Sequence, residues 1–122
     1  MEKINTQDEL FKHCKQIAEQ IQLGEYETDD DEPCNAYDYL SDSLDIEYTV
    51  SSDGRYLGAR ILVAFGGPNI WINTRTMAVE GYWWSDKAVA DYSEDALGLD
   101  EAAEEIWNCR FLYREKLLSF RG

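Results

Sequence analysis

The sequence predicts one α+β domain, in which a four-stranded antiparallel meander sheet is packed by an N-terminal helix, a short helix and a long C-terminal helix. Apolar residues recur at helical spacing near both ends of the chain, and alternating apolar segments separated by short turns fill the middle. Short connections favour antiparallel neighbours in a sheet. With 122 residues, 44% of them hydrophobic, the chain can bury one core, so we assign residues 1–122 to a single domain.

The first helix is predicted over residues 7–22. Thr6 and Glu9 have the spacing of a capping box, and Gly24 supplies a stop. Between them the apolar residues repeat every three or four positions, at Leu10, Phe11, Cys14, Ile17, Ala18 and Ile21. This spacing indicates one buried stripe along the helix.

A short helix is predicted after Asn35, whose side chain can cap its first turn. Its inner stripe is expected to consist of Tyr37, Leu40 and Leu44. The three acids Asp38, Asp42 and Asp45 are then expected to face outward.

The C-terminal helix is predicted from Asp100, a candidate cap, to residue 118. Acids occupy its first turns and bases its last turns, an order that suits the helix dipole. Its apolar stripe is expected at Ala102, Ala103, Ile106, Cys109, Tyr113 and Leu117.

The strands are predicted between the short helix and the C-terminal helix. Residues 46–50 alternate apolar and polar, and Asp53-Gly54 marks a hairpin turn after them. The next strand runs from Tyr56 to Phe65. Both of its faces carry apolar residues, so we place it centrally, with one face formed by Leu57, Ala59, Ile61, Val63 and Phe65.

Two further strands are predicted after a sharp break at Gly66-Gly67-Pro68-Asn69. They span residues 70–74 and 77–84 and are joined by a tight turn near Arg75-Thr76. Beyond them, Ser85-Asp86 is expected to open a short helical turn.

The net charge of −14 is concentrated in the first half of the chain. Residues 1–54 hold 15 acids against 3 bases, whereas residues 55–122 hold 10 against 8. The electric field of so much negative charge repels nucleic acid and acidic membranes and attracts basic surfaces. Acidity often serves solubility alone, but the asymmetry favours a basic protein surface as the partner.

A cytoplasmic location without membrane association is expected. No run approaches the roughly 18 apolar residues of a membrane span, and the first five residues do not resemble a signal peptide. The cysteines, Cys14, Cys34 and Cys109, are odd in number and widely spaced, which predicts reduced thiols rather than a disulfide framework.

We expect neither enzyme activity nor a metal or other cofactor. His13 directly precedes Cys14 on a helix, so the two side chains diverge and cannot act as a pair. Gly66-Gly67-Pro68-Asn69 is followed by a strand rather than by the helix start of a phosphate loop. The consecutive acids of residues 29–32 lack the alternate spacing of a calcium loop. A carboxylate enzyme stays an alternative, and a deep pocket holding two carboxylates of shifted pKa would indicate it.

The last predicted strand ends in Tyr82-Trp83-Trp84. Alternation sends Trp83 and Trp84 to opposite faces, so one of them is expected in the core and the other at least partly exposed, unless the C-terminal helix covers it. An exposed tryptophan beside a polar rim is typical of an interface anchor.

Gly66-Gly67-Pro68-Asn69 with its flanking strands, followed by Val79-Glu80-Gly81-Tyr82-Trp83-Trp84, resembles a family of small acidic proteins of phages and conjugative elements of Gram-positive bacteria. The helix at residues 37–40 and the acidic final helix fit the same pattern, so the resemblance covers most of the chain. Such genes lie among inhibitors of host defence, both antirestriction and anti-CRISPR proteins. The resemblance therefore implies, by association, an inhibitor of that kind.

We interpret the protein as an inhibitor of a host nucleic-acid-targeting defence system that binds a basic nucleic-acid-binding surface by acidic DNA mimicry, without binding nucleic acid itself. An immunity or antitoxin-like protein that neutralises a cognate basic toxin is the alternative, and an adaptor that binds through its aromatic residues is another. The predicted partner-binding residues are Glu25, Glu27, Asp29, Asp30, Asp31, Glu32, Asp38, Asp42, Asp45, Glu47 and Trp84.

Overall fold

The computed structural model of the protein describes the backbone of residues 6–24 and 35–119, and side chains in this part as far as residue 110. One antiparallel sheet in the order β1-β2-β3-β4-β5 carries three helices. The elements are α1 (Thr6–Leu23), α2 (Ala36–Ser41), β1 (Asp45–Val50), β2 (Tyr56–Ala64), β3 (Asn69–Asn73), β4 (Ala78–Trp83), β5 (Asp86–Asp91) and α3 (Leu99–Ser119).

The predicted α+β class, the antiparallel meander and the three helices are confirmed, but the sheet has five strands instead of four. The expectation of a helical turn at Ser85-Asp86 is wrong, because β5 begins at Asp86 and pairs with β4 along its whole length. Ala88 and Ala90 of β5 are buried, whereas Val89 is exposed. Alanine and aspartate are poor strand formers on their own, so pairing with β4 decides the conformation.

The core lies between one face of the sheet and the helices. Ile61, Ile72 and Val79 are opposite one another on adjacent strands and are fully buried. Helix α1 packs on β4 and β5 through Leu10, Cys14, Ala18 and Ile21. Gly81 allows this close approach, since a Cβ atom there would lie 2.6 Å from the Cys14 sulfur. Gly24 (φ +72°) ends α1 as predicted, although the Thr6 side chain donates to Asp86 rather than capping the helix.

Helix α3 is capped by Asp95, not by Asp100 as the sequence suggested. The Asp95 carboxylate accepts hydrogen bonds from the amides of Gly98, Leu99 and Asp100 at 2.9–3.0 Å. Asp100 lies in the first turn, where its Oδ1 accepts from the hydroxyls of Tyr56 and Thr74, each at 2.8 Å. The start of α3 is thereby bonded to the β1–β2 hairpin and to the end of β3.

The predicted inner stripe of α2 is partly wrong. The Asn35–Asp38 capping box forms as expected, and Leu40 is buried. The other buried residues are Ala36 and Tyr39, whereas Tyr37 and Leu44 are exposed. The helix is only six residues long, so Leu44 lies beyond it, and its amide donates to Leu62 as the chain enters β1.

Other residues predicted to lie inward also face solvent, namely Phe11, Phe65 and, in the predicted α3 stripe, Ile106 and Cys109. Phe11 is 46% exposed, because α1 buries a narrow stripe that excludes it. Phe65 is 75% exposed, since a β-bulge between Leu62 and Ala64 interrupts the alternation of β2. Beyond the bulge Ala64 packs against the core, and Phe65 therefore points away from it.

Two Tyr→Phe substitutions should have different effects on stability. Tyr56→Phe removes the hydrogen bond to the Asp100 carboxylate and should lower the free energy of unfolding by about 1–2 kcal/mol. Tyr92→Phe removes a buried hydroxyl that has no hydrogen-bond partner among the described residues, so stability should stay the same or rise. Urea unfolding at neutral pH measures both, and a larger loss for Tyr92→Phe would contradict the assignment.

The same variants should differ from the wild type in alkali. Burial raises the pKa of the Tyr56 and Tyr92 phenols above the ordinary value of about 10. A folded-state pKa above the unfolded one contributes stability at lower pH that is lost as the pH rises past about 10. Each Phe variant should therefore show a smaller fall in the free energy of unfolding between pH ~9 and pH ~11.

Candidate functional site

Two predicted acids lie at α2, Asp38 within the helix and Asp42 as its C-cap. Asp38 and Asp42 are one helical turn apart and both are exposed. Asp38 also accepts the Asn35 amide in the capping box, which fixes the helix start. Both carboxylates are therefore presented outward by a short helix with an ordered first turn.

Two more predicted acids lie on β1, an edge strand of the sheet. Asp45 and Glu47 are two residues apart, so they share one face of the strand. That face is opposite to Ile46 and Tyr48, which pack toward the helices. Both carboxylates are exposed on the sheet face that carries no helix.

Glu47 differs from the other three acids because a base lies beside it. Arg60 approaches Glu47 at 3.3 Å and Glu80 at 3.6 Å, and its guanidinium lies 4.4 Å from the centre of the Trp71 ring. Part of the Glu47 charge is neutralised by this arrangement. Within the described part of the chain, Asp38, Asp42 and Asp45 form no ion pair.

Helix α3 adds acids that the sequence analysis did not include. Its first turns contact α2, and Glu101 borders a surface hollow together with Asn35 and Tyr37. One turn later, Glu105 borders a second hollow, again with Tyr37. The structure thus brings Glu101 and Glu105 beside Tyr37 of α2, the residue that precedes Asp38. The signal in the sequence was the absence of any lysine or arginine from residue 88 to residue 109.

We use the name acidic face for the surface around the β1 edge of the sheet. It carries Asp45 and Glu47 on the uncovered side of the sheet, and on the helix side it carries Asp38, Asp42, Glu101 and Glu105. The chain segment that supplies the first four has no lysine, arginine or histidine between residues 16 and 54. Lys12 and Lys15 lie on α1, which packs on β4 and β5, toward the edge of the sheet opposite β1, and Lys87 lies on β5 itself. On the side of α2, β1 and α3 the acids outnumber the described bases, which include Arg60, beside Glu47, and Arg110, which borders one hollow with Glu105.

Six of the predicted acids lie outside the described residues, namely Glu25, Glu27, Asp29, Asp30, Asp31 and Glu32. They precede α2 directly in the sequence.

Trp84 does not lie in β4 but in the two-residue turn to β5. It is 90% exposed, whereas Trp83, the last residue of β4, packs partly against the core. Because β1 begins and β4 ends at the same end of the sheet, Trp84 and Asp45 share that end. Three strand spacings separate them, roughly 14 Å.

The described residues show no arrangement typical of nucleophilic or metal chemistry. Burial raises the pKa of the Cys14 thiol to about 11, which keeps it protonated at neutral pH. His13 is exposed and lines a shallow hollow with Asp42 between α1 and α2. In the described part, no group of three histidine, cysteine or acidic side chains is placed to hold a metal ion. Nor does that part contain a helix with the length and apolarity needed to cross a membrane.

Comparison with protein-family models, with curated proteins and with solved structures found no match.

Clustering of the acids should be visible in anion-exchange chromatography. The triple variant Asp38→Asn, Asp42→Asn, Asp45→Asn should elute at lower salt than the variant Asp8→Asn, Glu19→Gln, Asp91→Asn, although both lose three charges. Neighbouring carboxylates contact the resin together, and scattered ones do not. Asparagine keeps an oxygen at the α2 capping box, so the fold should persist. Equal elution would show that the acidic face is no denser in charge than the α1 and β5 side.

Proposed function

We propose that the protein inhibits a nucleic-acid-targeting defence enzyme by occupying the basic surface on which that enzyme binds nucleic acid. The observation that supports this most is the acidic face, since three of its carboxylates, on α2 and at the start of β1, have no base among the described residues to neutralise them. The protein would act by binding, without a cofactor and without contacting nucleic acid. It would act in the cytoplasm, where such enzymes work.

Charge determines the class of partner. Duplex DNA carries one negative charge per about 1.7 Å of its axis, and enzymes that grip it present a positively charged groove. Carboxylates on a folded protein attract the same groove, and dissolved salt screens that attraction. Nucleic acid itself would be repelled by a protein with a net charge of −14.

Regular elements hold the carboxylates at set spacings. The Asp38 and Asp42 positions are separated by one helical turn of about 6 Å along α2. Asp45 and Glu47 are separated by about 7 Å along β1. Pre-positioned charges lose less conformational entropy on binding than the same charges on a flexible chain. This arrangement favours a decoy with a fixed shape over a diffuse acidic tail.

The choice of a defence enzyme among basic proteins rests on the resemblance of residues 60–84 to proteins of mobile elements. An immunity or antitoxin-like protein would have the same charge and would neutralise one basic toxin. The two functions differ in range: protection against a single toxin encoded beside this gene favours the second, and inhibition of DNA cleavage favours the first.

The proposal predicts inhibition that depends on salt and on the acidic face. We expect the protein to slow DNA cleavage by at least one member of a panel of purified restriction endonucleases and CRISPR effector nucleases. Raising the salt from about 50 mM to about 300 mM should abolish most of this inhibition, because the attraction is electrostatic. Raising the concentration of the substrate DNA should restore cleavage, because the DNA and the protein compete for one surface.

Two variants decide whether the acids are responsible. Asp38→Asn, Asp42→Asn, Asp45→Asn combined with Asp29→Asn, Asp30→Asn, Asp31→Asn, Glu32→Gln should weaken inhibition at least about tenfold. The variant Asp8→Asn, Glu19→Gln, Asp91→Asn serves as the control and should inhibit nearly as well as the wild type. Full inhibition by the first variant would overturn the proposal. So would the absence of inhibition across the panel together with protection against one toxin.

A further inference from the structure

Three exposed apolar side chains lie at one end of the sheet. Leu44 is 60% exposed, Phe65 75% and Trp84 90%. Leu44 precedes β1, Phe65 follows β2 and Trp84 follows β4. Since β2 and β4 run in the same direction, antiparallel to β1 and β3, all three positions fall at the same edge of the domain. We call these three residues the apolar end.

The backbone at Trp84 adds an independent observation. Its φ is +57°, a left-handed value that tryptophan rarely adopts and that glycine adopts easily. Pairing of Trp83 with Asp86 leaves Trp84 and Ser85 as a two-residue hairpin turn, where glycine and asparagine are the usual residues.

Met77 shows why the strain at Trp84 is informative. It has nearly the same φ, +56°, but its side chain packs against the core, so burial offsets the strain. Trp84 is almost fully exposed and receives no such compensation. A strained, exposed tryptophan lowers stability without improving packing, and such positions are typical of functional sites.

The surroundings of Trp84 provide shape as well as apolar surface. A hollow of about 160 Å³ is lined by Gly66 and Gly67 of the β2–β3 loop, by Asn69 at the start of β3, and by Tyr82, Trp83 and Trp84. Gly66 has no atom near the position of a Cβ, so this side of the loop is open. A side chain of a partner can therefore enter beside Trp84.

Charge limits what can cover the apolar end. It adjoins the acidic face, because Leu44 directly precedes Asp45, and Asp45 is opposite Leu62 near the end of β2. Lys87, the base nearest to Trp84 in the sequence, lies 5.7 Å from the Tyr82 ring. A second copy of this chain, a nucleic acid or an anionic membrane would each be repelled by the net charge of −14.

We propose that the apolar end is a docking site for apolar side chains of the same basic protein partner that the acidic face attracts. This inference rests on the proposed function and extends it, since it gives the partner surface a second component. The acids supply long-range attraction, and Phe65 and Trp84 are the anchors that retain the partner when salt screens the charges.

Two synthetic peptides with equal numbers of lysines test this inference. One contains only lysine and glycine, and in the other half of the glycines are replaced by leucine. Fluorescence anisotropy measures the binding of each peptide to the full chain at about 50 mM and about 500 mM salt. We expect both to bind at low salt, and the leucine peptide to bind at least about tenfold more tightly at high salt.

Variants of the full chain locate the effect. Trp84→Gly and Phe65→Ser should each abolish most of the preference for the leucine peptide, and Trp84→Phe should keep most of it. The control Phe11→Ser removes an exposed phenylalanine from α1 and should keep the preference intact. In urea unfolding the midpoint of Trp84→Gly should equal or exceed that of the wild type, because glycine relieves the positive φ.

Each result supports or overturns the inference. Equal binding of the two peptides at both salt concentrations would overturn the docking site and leave the proposed function standing. Failure of both peptides to bind at low salt would contradict the proposed function and the inference with it. A wild-type dimer in sedimentation velocity that Trp84→Gly dissociates would assign the apolar end to a second copy instead.

Discussion

Burial of one face of the five-stranded sheet under the helices is the interaction on which this structure depends. A chain with a net charge of −14 resists compaction, and in this protein the opposing term is a dry core in which Ile61, Ile72 and Val79 meet the stripe of α1. Because the helices cover only that face, the acids of β1 fall on the uncovered face and those of α2 and α3 on the outer surface of the helices. The hydrophobic pattern thus also determines where the charges lie.

The fold could be predicted from the sequence wherever local pattern and tertiary environment agree. The α1 stripe and the strands of the hairpins follow from periodicity and turn residues. Prediction failed where pairing overrides propensity, as in β5 with its alanines, and where a single extra residue changes the face, as at the bulge that exposes Phe65. The α3 cap was also missed, because Asp95 lies four residues before the helix and reaches it through a turn that periodicity does not reveal.

The sequence predicts that the candidate site is negatively charged, but it does not predict every residue that forms the site. The acids of α2 and β1 stand out in the sequence, whereas Glu101 and Glu105 join them only because α3 packs against α2. Sequence spacing also could not show that Arg60 of β2 pairs with Glu47, which lies opposite it on β1. The strain at Trp84 could not be predicted either, because it is a positive φ angle, which the residue type does not indicate. The strain at Trp84 is informative because Met77 has almost the same φ but packs against the core, whereas Trp84 does not.

Clustered carboxylates attract a partner over a distance, and apolar side chains retain it after contact. In this molecule the acidic face and the apolar end lie next to each other. The central claim is that the acidic face contacts the partner, which hydrogen exchange in the complex with an inhibited nuclease tests most directly. The account predicts slower amide exchange in α2, at the start of β1 and in the first turns of α3, with little change in α1 and β5. Protection confined to α1 and β5 would contradict it.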